Sequence, residues 1–159
     1  LLFRAIEYEI LAKCREAEVG VLAYSPLAQG LLTGKFKGPD EVDDERARVR
    51  LFSKNRPGTV HDGEGCEKEA FEALDNIQAI CADLGEPMAK VALAWVLQQP
   101  GVTAVLAGAR TPDQIFENVR SADLELSDEV LKRLGDATAG VKEKLGPNAD
   151  PWRTASRIR

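Results

Sequence analysis

Two short apolar runs set the limits on what this chain can fold into. Val19-Gly20-Val21-Leu22-Ala23-Tyr24 and Val102-Thr103-Ala104-Val105-Leu106-Ala107 are unbroken by the alternation of a half-exposed strand. Continuous runs of this kind fit strands covered on both faces, as parallel strands are. The first stops at Ser25-Pro26, since proline cannot continue a ladder. Between the two runs the period changes. From Glu67 to Leu84, residues Ala70, Phe71, Leu74, Ile77, Cys81 and Leu84 fall on one helical face, and Gly85 follows in C-cap position. Pro87 opens a second helix at its first turn, where a missing N–H is harmless. Met88 to Leu97 is apolar nearly all round, which predicts a buried helix ending at Pro100-Gly101. Strands joined by helical crossovers make an α/β fold with a parallel sheet.

The flanks extend the pattern. Residues 3–17 space Ile6, Ile10, Leu11 and Cys14 helically. A helix is expected from about Pro112 to Val119, and another after Ser127, whose N-cap is followed by Asp128 and Glu129 at the positive end of the helix dipole. Residues 36–66 are the least regular, with Gly38-Pro39, acidic residues from Asp40 to Glu45, Arg56-Pro57-Gly58 and Gly63-Glu64-Gly65. A loop this long is either a lid or a solvated surface excursion. The tail, 140–159, contains Pro147, Pro151 and Trp152 and reads as irregular. Trp152 is taken as part of a packed or flapping tail, with contact to a substrate as the alternative. Two strands leave two open edges and make no stable sheet alone. The 159 residues are therefore expected to be a single partial domain, which agrees with a chain that opens at Leu1 and has its one methionine at Met88.

Composition narrows the function. With 44% hydrophobic and 30% charged residues the chain is ordinary soluble protein, neither collagen-like nor disordered. Lys+Arg 21 against Asp+Glu 26, a net charge of −5, argues against nucleic-acid or anionic-membrane binding. No run approaches the roughly 18 apolar residues of a membrane span. Cys14, Cys66 and Cys81 are odd in number and widely spaced, as reduced thiols of a cytoplasmic protein would be, and no metal site is expected.

The most informative stretch is Gly108-Ala109-Arg110-Thr111-Pro112-Asp113-Gln114. Thr111 is a good N-cap, Pro112 suits the first helical position, and Gln114 lies three residues on, as in a capping box. The free N–H groups of such a helix start form an anion site at the strand's end. Gly108 allows close approach to the backbone, and Arg110 adds a fork-shaped donor suited to phosphate. A well-capped helix with a solvated arginine is the alternative. Gln114 and Asn118, four apart on one face, offer the paired amide groups an adenine ring needs. The other strand ends in Tyr24-Ser25-Pro26-Leu27-Ala28-Gln29-Gly30-Leu31-Leu32-Thr33-Gly34-Lys35, a small-residue loop whose aromatic either stacks on a heterocycle or belongs to the core.

Those two motifs, Tyr24–Lys35 and Gly108–Asn118 at this separation, resemble the aldo-keto reductase superfamily, nearest its bacterial aldo/keto reductases and its potassium-channel β-subunit-like branch. The likeness runs over essentially the whole chain. It implies that the chain is the C-terminal portion of a (β/α)8 TIM barrel, the seventh and eighth strands with their helices, incomplete on its own. It also implies an NADPH-dependent oxidoreductase that converts a small carbonyl substrate to an alcohol. Tyr24 would stack on the nicotinamide. Ser25, Leu27, Gly30 and Lys35 would line the pyrophosphate side. Gly108 and Arg110 would hold the adenosine-side phosphate, and Gln114, Glu117 and Asn118 would meet the ribose and adenine. The Asp, Tyr, Lys and His of the family's hydride chemistry have no matching positions here, and a full barrel runs to about 250 residues. Tyr24 and Lys35 match cofactor positions instead, and His61, in the irregular segment, is expected to be solvated. No catalytic residue is therefore assigned, and the isolated chain is expected to be inactive. Its implied partner is the missing N-terminal half of the barrel or another chain, with homo-oligomers possible through the open sheet. A non-catalytic nucleotide-sensing subunit or a remnant half-barrel is the alternative.

Overall fold

The computed structural model describes residues 1–155. Among them the sheet has two strands, β1 (Val21–Tyr24) and β2 (Val102–Leu106), paired in parallel. Between them the chain crosses over through α2 (Glu67–Leu84) and α3 (Met88–Leu97). A short helix, α1 (Ile10–Glu16), precedes β1, and α4 (Pro112–Arg120), α5 (Asp128–Ala137) and α6 (Ala139–Leu145) follow β2.

Burial explains the arrangement. α3 is enclosed, with Val91 through Val96 all buried. On one side lies the apolar stripe of α2, including Ala70, Phe71, Leu74, Ile77 and Cys81; Val130 and Leu134 of α5 and Val141 and Leu145 of α6 complete the core. The indole N–H of Trp95 donates to the Leu131 carbonyl at 3.1 Å, so the one polar atom of that buried ring is satisfied. Ala23, Val102 and Val105 pack against this core from the sheet.

The other face of the sheet is open. Leu22, Tyr24 and Leu106 are exposed, so the expectation of strands covered on both faces fails. The register Leu22↔Ala104 and Tyr24↔Leu106 puts these side chains on one surface, opposite Ala23↔Val105. Helices cover only the second surface. At the start of the sheet two residues of β2 answer one of β1, and a Cβ on Gly20 would stand 2.2 Å from the Thr103 hydroxyl oxygen. Glycine is required there by the neighbour.

The expected ends of α2 and α5 agree with the structure. Gly85 takes a left-handed conformation after α2, and the Glu86 N–H reaches back to the Cys81 carbonyl at 3.1 Å, a Schellman closure. Ser127 caps α5 by accepting from the Val130 N–H. Pro87 sits one residue outside α3, in extended conformation, and not in its first turn. Three further differences have identifiable causes. The helix expected over 3–17 divides into a 3-10 turn, Ala5–Glu7, and α1. There Arg4 donates to the Gly135 carbonyl (2.6 Å) and the Thr138 hydroxyl (2.9 Å), so tertiary bonds fix the opening turn. β1 starts two residues late because Glu18 (φ 55) ends α1, with Val19 N–H bonded to the Cys14 carbonyl. The tail, expected to be irregular, begins with α6, held by Val141 and Leu145 in the core; residues 156–159 of that tail lie outside the described ones.

The long segment 36–66 is not a solvated excursion through its middle. Beyond a 3-10 turn at Pro39–Glu41 it is irregular, yet Val42, Ala47, Val49, Leu51 and Phe52 are all buried. Its path is fixed by backbone bonds such as Cys66 N–H to the Leu51 carbonyl at 2.9 Å and Lys54 N–H to that of Gly63 at 2.9 Å. His61, expected to be solvated, is 8% exposed and lies against the backbone of Val49 and Gly63. Cys14, Cys66 and Cys81 are free thiols, and burial pushes that of Cys66 up to about 12 and that of Cys81 to about 11. Among the described residues no helix is long and apolar enough to cross a membrane.

Candidate functional site

Because β1 and β2 are neighbours and parallel, the loops after them leave the sheet at the same end. Both sequence motifs therefore face one region. Tyr24 closes β1 opposite Leu106 and is 59% exposed on the open face. After it the backbone turns repeatedly through the left-handed region: Ser25 (φ 50), Ala28 (φ 47), Gln29 (φ 59), Gly30 (φ 92) and Gly34 (φ 73). Left-handed turns of this kind are costly at the three non-glycine residues and gather where a loop is shaped for a ligand. Successive N–H groups in such turns form concavities that attract anions. Leu27 anchors the loop, packing on the core while its carbonyl accepts from Gly30 N–H (2.9 Å) and Leu32 N–H (3.2 Å).

Lys35 returns over this turn. A Cβ on Gly30 would meet the Lys35 Cε at 3.3 Å and Nζ at 3.4 Å, so the glycine makes room for the ammonium. Lys35 also lies over the Phe36 ring, 4.5 Å from its centroid. Partial burial, then the positive charges of Arg46 and Arg110, hold its ammonium below the usual lysine range. Lys35 thus lies within electrostatic reach of Arg46 and of Arg110. A bound phosphate group would relieve that repulsion on its ammonium. Arg46 is the residue that sequence reasoning missed. It lies in the irregular segment, ion-paired with Asp43, and in sequence it looks like any solvated arginine.

At β2 the chain leaves through Gly108, where an added Cβ would meet nothing within 4 Å, so the approach to the backbone is open. Thr111 caps α4 and accepts from the Gln114 N–H at 3.3 Å, with Pro112 in the first turn. The reach of Gln114 differs from a capping box by one residue: its Oε1 accepts from the Arg110 N–H at 2.8 Å, not from Thr111. Asn118 donates from Nδ2 to the Gly108 carbonyl at 3.3 Å. Both amides therefore brace the turn from strand to helix. The Gln114 amide nitrogen and the Asn118 amide oxygen are the ends left over, one donor and one acceptor. Glu117 pairs with Arg120 at 2.7 Å on the exposed side of the helix. The Arg110 side chain is exposed and has no acidic partner among the described residues.

The structure thus brings Gly30, Lys35, Arg46 and Arg110 to one end of the sheet, with Tyr24 and Ser25 at the mouth of β1 and Gln114 and Asn118 on the first turns of α4. Such an assembly is fitted for binding: cations, backbone N–H groups, amide edges and one flat aromatic surface. A dinucleotide phosphate fits that donor set.

Comparison with known proteins covers the stretch of chain that contains both loops. The family model described as the aldo/keto reductase family matches residues 1–138. The chain is 35% identical over 152 residues to the uncharacterised oxidoreductase YrpG of Bacillus subtilis, covering 96% of this chain and 42% of that protein. It is 35% identical over 128 residues to the NADH-specific methylglyoxal reductase of Escherichia coli, covering 80% of this chain and 36% of that one. A putative voltage-gated potassium channel subunit beta of Schizosaccharomyces pombe is 31% identical over 119 residues, covering 74% of this chain and 33% of the relative. Among solved structures, a glycerol dehydrogenase from Gluconobacter oxydans superposes with a TM-score of 0.67 at 28% identity, over 91% of this chain and 40% of that one. The chain spans about two fifths of the length of these relatives, or less.

Proposed function

The chain belongs to the aldo/keto reductase family, and from that premise we propose that it supplies the cofactor-binding part of an NADPH-dependent carbonyl reductase. The observation that carries this reading is the shared end of two parallel strands, where the left-handed turns after Tyr24, with Lys35 folded back over Gly30, leave on the same side as the open Gly108 and the capped start of α4. In the proposed frame β1 and β2 are the seventh and eighth strands of a (β/α)8 barrel, where phosphate sites of that fold are found. Ser25, Leu27, Gly30 and Lys35 hold the pyrophosphate side, and Gly108 and Arg110 the adenosine phosphate. Gln114, Glu117 and Asn118 meet the ribose and adenine, and Tyr24 gives the nicotinamide a flat surface to lie on. The nicotinamide, when bound, supplies the hydride. The chain's own residues orient it and neutralise its phosphates.

Proton donation to the substrate oxygen is assigned to groups outside this chain. The chain alone is proposed to bind NADPH without oxidising it. That similarity to proteins named as potassium channel subunits gives a second reading, a nucleotide-binding subunit without turnover. A Asp, Tyr, Lys and His set in sequence preceding Leu1 separates the two.

Titration of the chain with NADPH and NADH, read by nicotinamide fluorescence, tests the binding assignment. Saturable binding of NADPH is expected, and Arg110→Ala is expected to weaken it by about 1–3 kcal/mol, the range for a charged hydrogen bond, with a much smaller loss for NADH. Equal losses for both would remove Arg110 from the 2′-phosphate. Steady NADPH oxidation on adding an aldehyde would show that the chain carries its own proton donor.

A further inference from the structure

Arg50 sits between buried Val49 and Leu51 in the long irregular segment and turns its own side chain toward the tail. Its Nη1 donates to the carbonyls of Asn148 (2.9 Å) and Asp150 (3.1 Å), and its Nη2 to that of Leu145 (2.7 Å). Its backbone N–H donates to the Pro151 carbonyl at 2.8 Å. A guanidinium suits this task because its planar fork holds several donors at fixed angles, which an ammonium does not. The tail meets it with a built turn. Buried Asp150 accepts at Oδ1 from the N–H groups of Trp152 (2.9 Å) and Arg153 (3.2 Å), and Asn148 Nδ2 donates to the carbonyls of Arg153 (2.9 Å) and Thr154 (2.7 Å).

The result of this fastening is the place of Trp152. It packs against the core, and with Ala149 and Pro151 it borders an apolar cavity of about 260 Å³ that Tyr24, Ser25 and Gln29 border as well. Arg46, the cation near Lys35, is four residues before Arg50 on the same segment. We infer that Arg50 is a positioning residue: acting through the main chain of 145–151, it sets Trp152 as a wall beside Tyr24 and ties that wall to the segment that carries Arg46. The fastening does not depend on the reductase reading.

The test uses the chain itself. Arg50→Met, which keeps the apolar stem, is expected to speed tryptic cleavage after Arg153 at least tenfold and to red-shift the Trp152 emission, assigned by comparison with Trp152→Phe. Arg50→Lys is expected to restore part of both. With NADPH present, the affinity of Arg50→Met stays within twofold of the unaltered chain, while energy transfer from tryptophan to the nicotinamide falls. A folded Arg50→Met protein with unchanged cleavage and emission overturns the inference. If that variant does not fold, Asn148→Ala, whose lost side chain bonded only within the tail, is expected to free the Arg153–Thr154 peptide for cleavage in the same way, and unchanged cleavage there overturns it equally. Cleavage and emission need no nucleotide, so absence of NADPH binding alone would count against the reductase reading and leave the fastening standing.

Discussion

Gln114 and Asn118 show how one side chain serves structure and recognition together. A primary amide has a donor end and an acceptor end, and each of these residues gives one end to the strand–helix turn. The turn then holds the remaining ends in place, so less rotamer freedom is lost when a ligand is met. His61 is the opposite case: a titratable ring buried against the backbone of Val49 and Gly63. Burial, with the Arg50 charge adding to it, keeps its pKa below the ordinary 6.5. The folded state therefore binds fewer protons than the unfolded one as the pH falls. Stability is fully present above about pH 6.5 and is lost progressively as the pH falls toward and through the lowered folded value. His61→Phe, which leaves no group to protonate, is expected to flatten the fall in thermal midpoint below pH 6.5. A His61→Phe protein whose midpoint falls as steeply as that of the unaltered chain would place the acid sensitivity elsewhere.

At the scale of elements, what was legible in the sequence had a local cause. α2 and α5 end or begin where Gly85 and Ser127 dictate, and α4 begins where Thr111 and Pro112 do. The parallel pairing of β1 and β2 followed from the crossover helices between them. What was not legible depends on partners distant in sequence. The fastened path of residues 42–52, the burial of His61 and the approach of Arg46 to Lys35 are set by where an irregular backbone is led, and no periodicity records that. Continuous apolar runs predict strands covered on both faces, but a run reports only its own hydrophobicity, and what covers it lies elsewhere. α4 is a further instance: it has no buried residue, so its cap must do more than a cap usually does. Thr111→Ala is expected to cost the helix about 0.5–2 kcal/mol. Amide hydrogen exchange should show this as faster exchange confined to residues 112–120, with NADPH binding weakened alongside. Unchanged exchange in that helix would mean that something other than Thr111 holds it.

Six of the nine large apolar side chains exposed among the described residues lie on the sheet's open face or on α4. Leu22, Tyr24 and Leu106 lie on the open face of the sheet, and Ile115, Phe116 and Val119 project from the helix that follows β2, all of them more than half exposed. A soluble protein seldom leaves so many large apolar side chains on adjoining elements unless a partner covers them. Both strands also present an unpaired edge among the described residues, and neither edge carries a proline or lysine to discourage pairing. The relatives have the length to cover such a surface, since the matched part is 42% of YrpG and 40% of the glycerol dehydrogenase. In this chain by itself the surface faces water. Each such side chain transferred from water to a contact gains about 1.5–3 kcal/mol when fully buried, so pairing a few of them between copies is favourable even against the entropy of association. Purified chain is therefore expected to self-associate, with sedimentation coefficients that rise with concentration. Leu106→Lys combined with Phe116→Lys, which places charge on both the sheet and the helix, is expected to shift the population toward monomer without disturbing the core, because neither residue belongs to it. Unaltered chain that sediments as a monomer at every concentration would contradict the expectation, and would mean that the open face is tolerated in water as it stands.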